Sequence, residues 1–353
     1  MAIYLTNIAL IIFWRLCITK RRFKDSRKLY CGLVAFQWIL VSGLRDWSVG
    51  ADTYHYYDIF ERAKQTPWGT AFGDVFDYLF RGLETKDPGY TLLTKIFQIF
   101  SGNYQVFLLA IAALFMSLMA VWIYRHSASP CTSFIIFSTL FYEFYAVTGH
   151  RQTIATALIV FYGYELIRKR DLLKFAIVAF IAFLIHKSSL VFVPFYFLTM
   201  IPVTKPYVLV CAVAIAAVVV LGERLFVPVA EWMGFGSEVI DYDGGGAGLF
   251  SFLMSLLSIV ILLFYPKIKA RRSDADHLFH AATAALLSSL LVVQLQSFMR
   301  VQQYFSLFIM ISVPELFNVF KKEYRLLAYL GFGIVMIGYL ILKNPYYSLF
   351  FMN

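Results

Sequence analysis

Charge is scarce in this chain. Only 15% of its 353 residues are Asp, Glu, Lys or Arg, against 60% hydrophobic and 18% aromatic, and the mean hydropathy is +0.71. That balance lies far outside the range of soluble globular proteins and marks an integral membrane protein. Cysteine is scarce too. Cys17, Cys31, Cys131 and Cys211 are spaced too widely for a Cys-rich metal site and fall within or at the cytoplasmic ends of apolar segments, so no disulfide is expected. A phosphate loop is missing, because the glycine run Gly244 to Gly248 follows no strand pattern and precedes no Lys-Ser or Lys-Thr. No cleavable leader is expected either. The first apolar segment starts almost at Met1 and its basic cluster comes after it, the reverse of a signal peptide, so it is expected to stay as a helix.

What is present is a series of apolar segments. A hydrocarbon core of about 30 Å needs about 20 apolar residues in a helix, fewer where the helix is tilted or ends in a protein cavity. About twelve segments qualify, roughly 2 to 18, 29 to 43, 104 to 124, 131 to 147, 150 to 167, 172 to 185, 188 to 202, 206 to 222, 249 to 265, 278 to 297, 300 to 320 and 325 to 343. The expected fold is all-α and polytopic, a single membrane domain with larger outer loops at about 44–103 and 223–248. With the loop after the first segment in the cytoplasm, that side collects 20 of the 31 Lys and Arg, and every cytoplasmic loop contains one. The net charge of +10 is therefore an orientation signal, and no nucleic-acid partner is expected. The count depends on a break at His186 to Ser189, since one long helix over 172 to 202 would carry Lys267 to Arg272 to the outer side. Two short helices, an even total and both termini outside fit the charges better.

The stretch from Gly43 to Phe60 is the densest cluster of polar, ionisable and aromatic groups near a membrane boundary. A plain interfacial loop needs only an anchor and a turn. Arg45 and Trp47 also suit belt anchors, Asp52 or Thr53 an N-cap, and Tyr54, Tyr57 and Phe60 a buried helical stripe. Farther along the outer loop, Asp87-Pro88 reads as an N-cap followed by proline at the first helical position. Ala71 to Phe80 and Tyr90 to Phe100 are amphipathic, and the second suits the outer leaflet. The glycine run suggests a mobile flap. Asp241-Tyr242-Asp243 mimics the Asp-x-Asp of nucleotide-sugar enzymes, but on the side away from nucleotide sugars.

Four outer sites share one aqueous layer: Arg45, Asp46 and Asp52; His150 and Arg151; His186 and Lys187; and Arg300 with Tyr304, which follow Gln294, Gln296 and Ser297. Three arginines at one level suit an anion of concentrated charge such as a diphosphate, because guanidinium binds phosphate oxygens in pairs and stays charged. Each arginine alone also fits snorkelling to headgroups. His186 has the chemistry of a general base, as do Asp46 and Asp52, while a structural histidine at the helix break is equally open.

These residues together resemble a known family. Gly43, Arg45, Asp46, Trp47, Gly50, Asp52, Thr53, Tyr56 and Phe60 match the signature after the second helix of EpsG-like and Wzy-type bacterial exopolysaccharide and O-antigen polymerases. Asp87-Pro88-Gly89-Tyr90, Arg151-Gln152, His186-Lys187-Ser188 and Arg300 with Tyr304 follow in order, and Ala51 departs from an expected hydroxyl residue. The resemblance implies a GT-C-like glycosyltransferase of the bacterial inner membrane, active on the periplasmic face. Its donor and acceptor would both be undecaprenyl-diphosphate oligosaccharides, and a chain-length regulator is an open partner. By position, Arg151 and Arg300 would hold the diphosphate, Arg45 the diphosphate or sugar, and His186 or Asp52 would be the base. Asp46, Trp47, Tyr56, His150 and Tyr304 would line the substrate, with Trp47, Tyr54, Tyr56 and Tyr57 as faces for sugar rings. No metal or other cofactor is expected, since arginines act where a metal otherwise would.

Other readings stay in view. A ligase would share the donor and differ in acceptor, and a metal-dependent transferase would use Asp46, Asp52 or Asp87 as ligands. A flippase for lipid-linked sugars should place charges through the membrane, where Glu143, Glu165 and Glu315 lie near helix ends. An acyltransferase would need a cytoplasmic thioester at a histidine, and neither His150 nor His186 faces that side.

Overall fold

The computed structural model describes residues 1–20, 25–82, 87–232, 245–292 and 298–351. Among these residues the chain is helical and contains no strand, only an isolated antiparallel bridge between Arg45 and Leu349. The helices are α1 (Ala2–Lys20), α2 (Ser26–Gly43), α3 (Thr53–Gln65), α4 (Trp68–Phe80), α5 (Pro88–Gln98), α6 (Tyr104–His126), α7 (Pro130–Ile136), α8 (His150–Thr156), α9 (Gly163–Lys169), α10 (Leu172–Ile185), α11 (Val193–Leu198), α12 (Lys205–Trp232), α13 (Gly245–Lys269), α14 (Ala275–Val292), α15 (Met299–Ser306), α16 (Ile309–Val319) and α17 (Lys322–Lys343). Five described helical stretches are long and apolar enough to cross a membrane: Tyr104–His126, Lys205–Gly222, Gly248–Lys269, Ala275–Val292 and Lys322–Lys343. Shorter apolar stretches cover Ala2–Ile18, Pro130–Phe141, Leu172–Ile185, Lys187–Leu198 and Ile309–Val319. The protein is an all-α membrane protein.

The chain divides into two compact units, Met1–Leu190 with Leu327–Asn353, and Val191–Leu326. In the first, α2 lies along α6 at close range. A β-carbon on Gly43 would stand 2.9 Å from the Cα of Leu109, so glycine is what lets the two backbones meet there. Arg27 crosses the same pair and donates to the carbonyls of Tyr124, at 2.8 Å, and Ser127. The indole of Trp38 donates to Ser138 at 3.2 Å. Widened π-helical turns occupy Phe137–Phe141, Glu143–Thr148 and Ala157–Tyr162, on both sides of the turn at Gly149. Such turns re-aim side chains and are common beside functional sites.

α10 ends at His186, whose backbone is extended at φ −157° and ψ 109°, and a 3-10 turn over Lys187–Phe192 precedes α11. Residues 172 to 202 are thus two short helices. Residues 44–103 are not a simple loop, since they contain α3, α4 and α5. In the second unit, Asp276 accepts from the Tyr265 hydroxyl at 2.6 Å and from the Val203 N–H at 3.2 Å, tying α13 and α14 to the start of α12. Gln302 of α15 donates to Ser289 of α14 at 2.7 Å.

The glycine run read as a flap belongs to α13 from Gly245 onward, so that expectation is corrected there. Asp241, Tyr242, Asp243, Gly244, Gln294, Gln296 and Ser297 lie outside the described residues.

Candidate functional site

The centre of the site is a carboxylate. Proline at the first turn starts α5 at Pro88, and Asp87 stands in the N-cap position with left-handed backbone angles, φ 54° and ψ 58°. Few residues other than glycine, asparagine and aspartate adopt that conformation. As expected from sequence, Asp87 precedes the helix, but its side chain does not cap it. The carboxylate turns instead toward α10 and α8. Oδ2 accepts from His186 Nδ1 at 3.0 Å and meets Arg151 Nη1 at 3.1 Å, while Oδ1 accepts from the Lys187 N–H at 3.1 Å. The Asp87 side chain is 6% exposed, and those of Arg151 and His186 are 10% exposed. Burial alone would raise the Asp87 pKa. The hydrogen bond from His186, the charge of His186 when it is protonated, the charge of Arg151 and the N–H of Lys187 outweigh it, holding the carboxyl, which lies outside the membrane-spanning segments, below its ordinary range.

Gly89 makes this junction possible. A β-carbon there would stand 2.5 Å from the Leu184 carbonyl oxygen, so α5 reaches the end of α10 only because position 89 has no side chain. Tyr56, Phe60, Tyr90, Phe107, Ile154 and Ile185 form a buried apolar cluster shared by α3, α5, α6, α8 and α10. It fixes these helices and therefore the polar groups at their ends.

A second polar layer adjoins the first through aromatic contacts. Arg45 is 3% exposed, and its Nη2 lies 2.8 Å from His150 Nε2. Guanidinium has no lone pair to offer, so Nε2 must accept, His150 is neutral, and its proton sits on Nδ1, 3.5 Å from the Tyr90 hydroxyl. Arg45 Nη1 donates to the Ser42 carbonyl. Tyr56 stacks on His150 at 4.4 Å and 17°, and the Arg151 guanidinium lies over the Tyr56 ring at 5.5 Å. Among the described residues no carboxylate pairs with Arg45, and its buried Nε has no hydrogen-bond partner. The chain of contacts therefore runs Arg45, His150, Tyr56, Arg151, Asp87, His186.

Five of the sequence candidates, Arg45, Tyr56, His150, Arg151 and His186, are joined in this chain. Tyr56 is buried against His150, so its ring is a support and not an open face for sugar. The stripe of α3 is Thr53, Tyr56, Phe60 and Ala63, whereas Tyr54 is exposed, a correction to the expected Tyr54, Tyr57 and Phe60. Asp46 is buried and accepts from the N–H and hydroxyl of Ser48, at 2.9 and 2.5 Å, which folds the loop. Asp52 is exposed at the N-cap position of α3, makes no capping bond, and is absent from the contacts around Asp87. Trp47 is 42% exposed, stacked on Tyr57 at 5.5 Å and tilted against Tyr54 at 5.9 Å. Arg300 and Tyr304 lie in the second unit, Arg300 exposed at the start of α15 and Tyr304 buried.

Asp87, read from sequence as a site residue only in the metal-dependent alternative, and Tyr90 are the residues that sequence reasoning left out of the arginine site. Their signal was the Asp-Pro-Gly-Tyr string, which has a sufficient local explanation as a helix start. Asp46, Asp52 and Asp87 do not gather, and among the described residues no group of three or more His, Cys, Asp or Glu converges as metal ligands.

The model of one family, the EpsG family, matches residues 28–352. No curated protein matches the chain, and no solved structure does.

Proposed function

The chain belongs to the EpsG family, and from that premise we propose that it is a membrane glycosyltransferase of the polysaccharide-polymerase type. It would transfer a growing glycan from undecaprenyl diphosphate to the next lipid-linked repeat unit, at the periplasmic face of the bacterial inner membrane and on a GT-C-like scaffold of about twelve spans. The observation that carries this reading is the meeting of Arg151 and His186 on one carboxylate oxygen, from segments separated by about thirty residues and joined by a third segment at Asp87. It supplies a cation for a departing anion beside an oriented imidazole.

The reaction needs a proton removed from an acceptor hydroxyl and charge stabilised on a leaving diphosphate. With Nδ1–H held on Asp87, the basic nitrogen of His186 is Nε2, which takes the acceptor proton. The acceptor oxygen then bonds to the anomeric carbon as the carbon–oxygen bond to the diphosphate breaks, and the electron pair leaves with the diphosphate. Arg151 stabilises that charge in a water-poor setting, where such help is worth most. Asp52, exposed and outside the cluster, suits the base role less well than His186. Both Nη groups of Arg45 are engaged within the protein, which suits a support for His150 better than a diphosphate ligand. Arg300 is assigned to the substrate by its place in the sequence pattern, Tyr304, being buried, suits a support, and Trp47 offers a sugar face.

The test is reconstitution in bilayers with a synthetic undecaprenyl-diphosphate repeat unit. Wild type should build a ladder of products, in EDTA as well, while Arg151→Ala and His186→Ala should not. Folded variants that extend chains at the wild-type rate would refute the site assignment. A single transfer to a lipid core, without a ladder, would identify a ligase.

A further inference from the structure

The donors around Asp87 make an unusual setting for a structural carboxylate. A guanidinium, an imidazole N–H and a backbone amide, from Arg151, His186 and Lys187, all point at one anion. That is the donor set that holds phosphate oxygens. We propose that the Asp87 carboxylate is a stand-in for the substrate's phosphate: it occupies the anion cradle in the unloaded protein, yields Arg151 to the incoming lipid diphosphate, and returns to expel the spent carrier. This rests on the reading of Arg151 as the diphosphate ligand.

Three observations support it. Asp87 has no need to face this way for its own helix, because the first turn of α5 closes through the Asp87 carbonyl to the Tyr90 N–H at 3.0 Å while the side chain leaves the cap empty. The residue is held at φ 54°, a conformation uncommon outside glycine that aspartate and asparagine adopt more readily than other residues, and it turns the carboxylate away from its own helix. Arg151 is also incompletely satisfied by its partner. It meets the carboxylate through Nη1, while its Nε is buried without a hydrogen-bond partner among the described residues. A diphosphate, with more oxygens and more charge than a carboxylate, can engage both.

Displacement requires only rotation of a short side chain. No covalent step is involved. An internal carboxylate that competes with the ligand weakens ground-state binding, which suits an enzyme whose product carries the same diphosphate as its donor.

The experiment is a titration of inorganic pyrophosphate into the purified full chain in nanodiscs. Asp87→Asn keeps the shape and suits a left-handed backbone, since asparagine tolerates that conformation well. It should bind pyrophosphate roughly tenfold or more tightly than wild type, because Arg151 is left without its carboxylate until the anion arrives. Asp87→Gly, also at ease in that backbone, should tighten binding in the same direction. Asp87→Glu, which retains the competing charge, should remain nearer wild type, and Arg151→Ala should lose binding. Two neutral variants that remain folded at the assay temperature but show unchanged or weaker binding would overturn the stand-in role, leaving Asp87 as an organiser of Arg151. If wild type, both neutral variants and Arg151→Ala all failed to bind, the diphosphate assignment itself would fall, and this inference with it.

Discussion

Gly89 stands against the backbone of Leu184 so closely that a β-carbon on it would lie 2.5 Å from the Leu184 carbonyl oxygen and 2.6 Å from the carbonyl carbon. Both obstructing atoms are main chain, so a side chain cannot be accommodated by a rotamer change. Gly89→Ala should separate α5 from the end of α10, at about 1–3 kcal/mol of stability, and pull Asp87 from His186. Thermal unfolding in detergent and chain extension should fall together. A variant with the wild-type unfolding temperature and rate would show that the contact is not limiting.

Arg151 tests shape against charge. Arg151→Lys keeps one positive charge but loses the planar fork, and should reduce turnover by about ten- to a hundredfold. Arg151→Ala should cost on the order of a hundred- to a thousandfold. Single-turnover rates with lipid-linked donor separate this from a binding defect, and equal activity of the lysine variant and wild type would leave charge alone as the requirement.

The depressed pKa of Asp87 predicts an acid-sensitive contribution to stability. Its folded value lies below that of the unfolded chain, near 3.9, so on acidification the unfolded state takes up the proton first. The contribution is complete above the unfolded value and disappears as pH falls through the folded one. The difference in unfolding temperature between wild type and Asp87→Asn should stay constant from about pH 5 upward and shrink below about pH 4. A difference that persists unchanged at the acid end would assign the stabilisation to something other than this charge.

The C-terminal segment clasps the loop that carries Arg45. The Asp46 N–H donates to the Ser348 carbonyl at 2.9 Å, the Phe350 N–H to the Leu44 carbonyl at 3.1 Å, and the Tyr347 hydroxyl to the Val41 carbonyl at 2.7 Å. Phe350→Pro and Tyr347→Phe each remove one donor, at about 1 kcal/mol apiece. Amide exchange at Asp46 should speed up in both, with reduced turnover through loss of the Arg45–His150 contact. Unaltered exchange would mean that the loop holds itself.

Trp47 and Tyr57 give a prediction of a different kind. Trp47 stays part-exposed beside the Tyr57 ring, so Trp47→Ala should raise KM for the lipid-linked substrate by about fivefold or more, with kcat little changed, as loss of one stacking contact of about 1 kcal/mol would. A fall in kcat alone would place Trp47 elsewhere in the reaction.

The sequence by itself determined the membrane character, the helical class, the break at His186 and the helix start at Pro88. Each follows from local rules: apolar transfer, backbone hydrogen-bond satisfaction in lipid and the fixed φ of proline. It also marked Arg151 as a candidate anion ligand and His186 as a candidate general base. Only the tertiary structure decided that Asp87 abandons its own helix to join them, that Arg45 is occupied with His150, and that Tyr56 is a buried prop. Asp87 and His186 lie 99 residues apart. No periodicity along the chain encodes a meeting that depends on one glycine allowing two distant helix ends to touch.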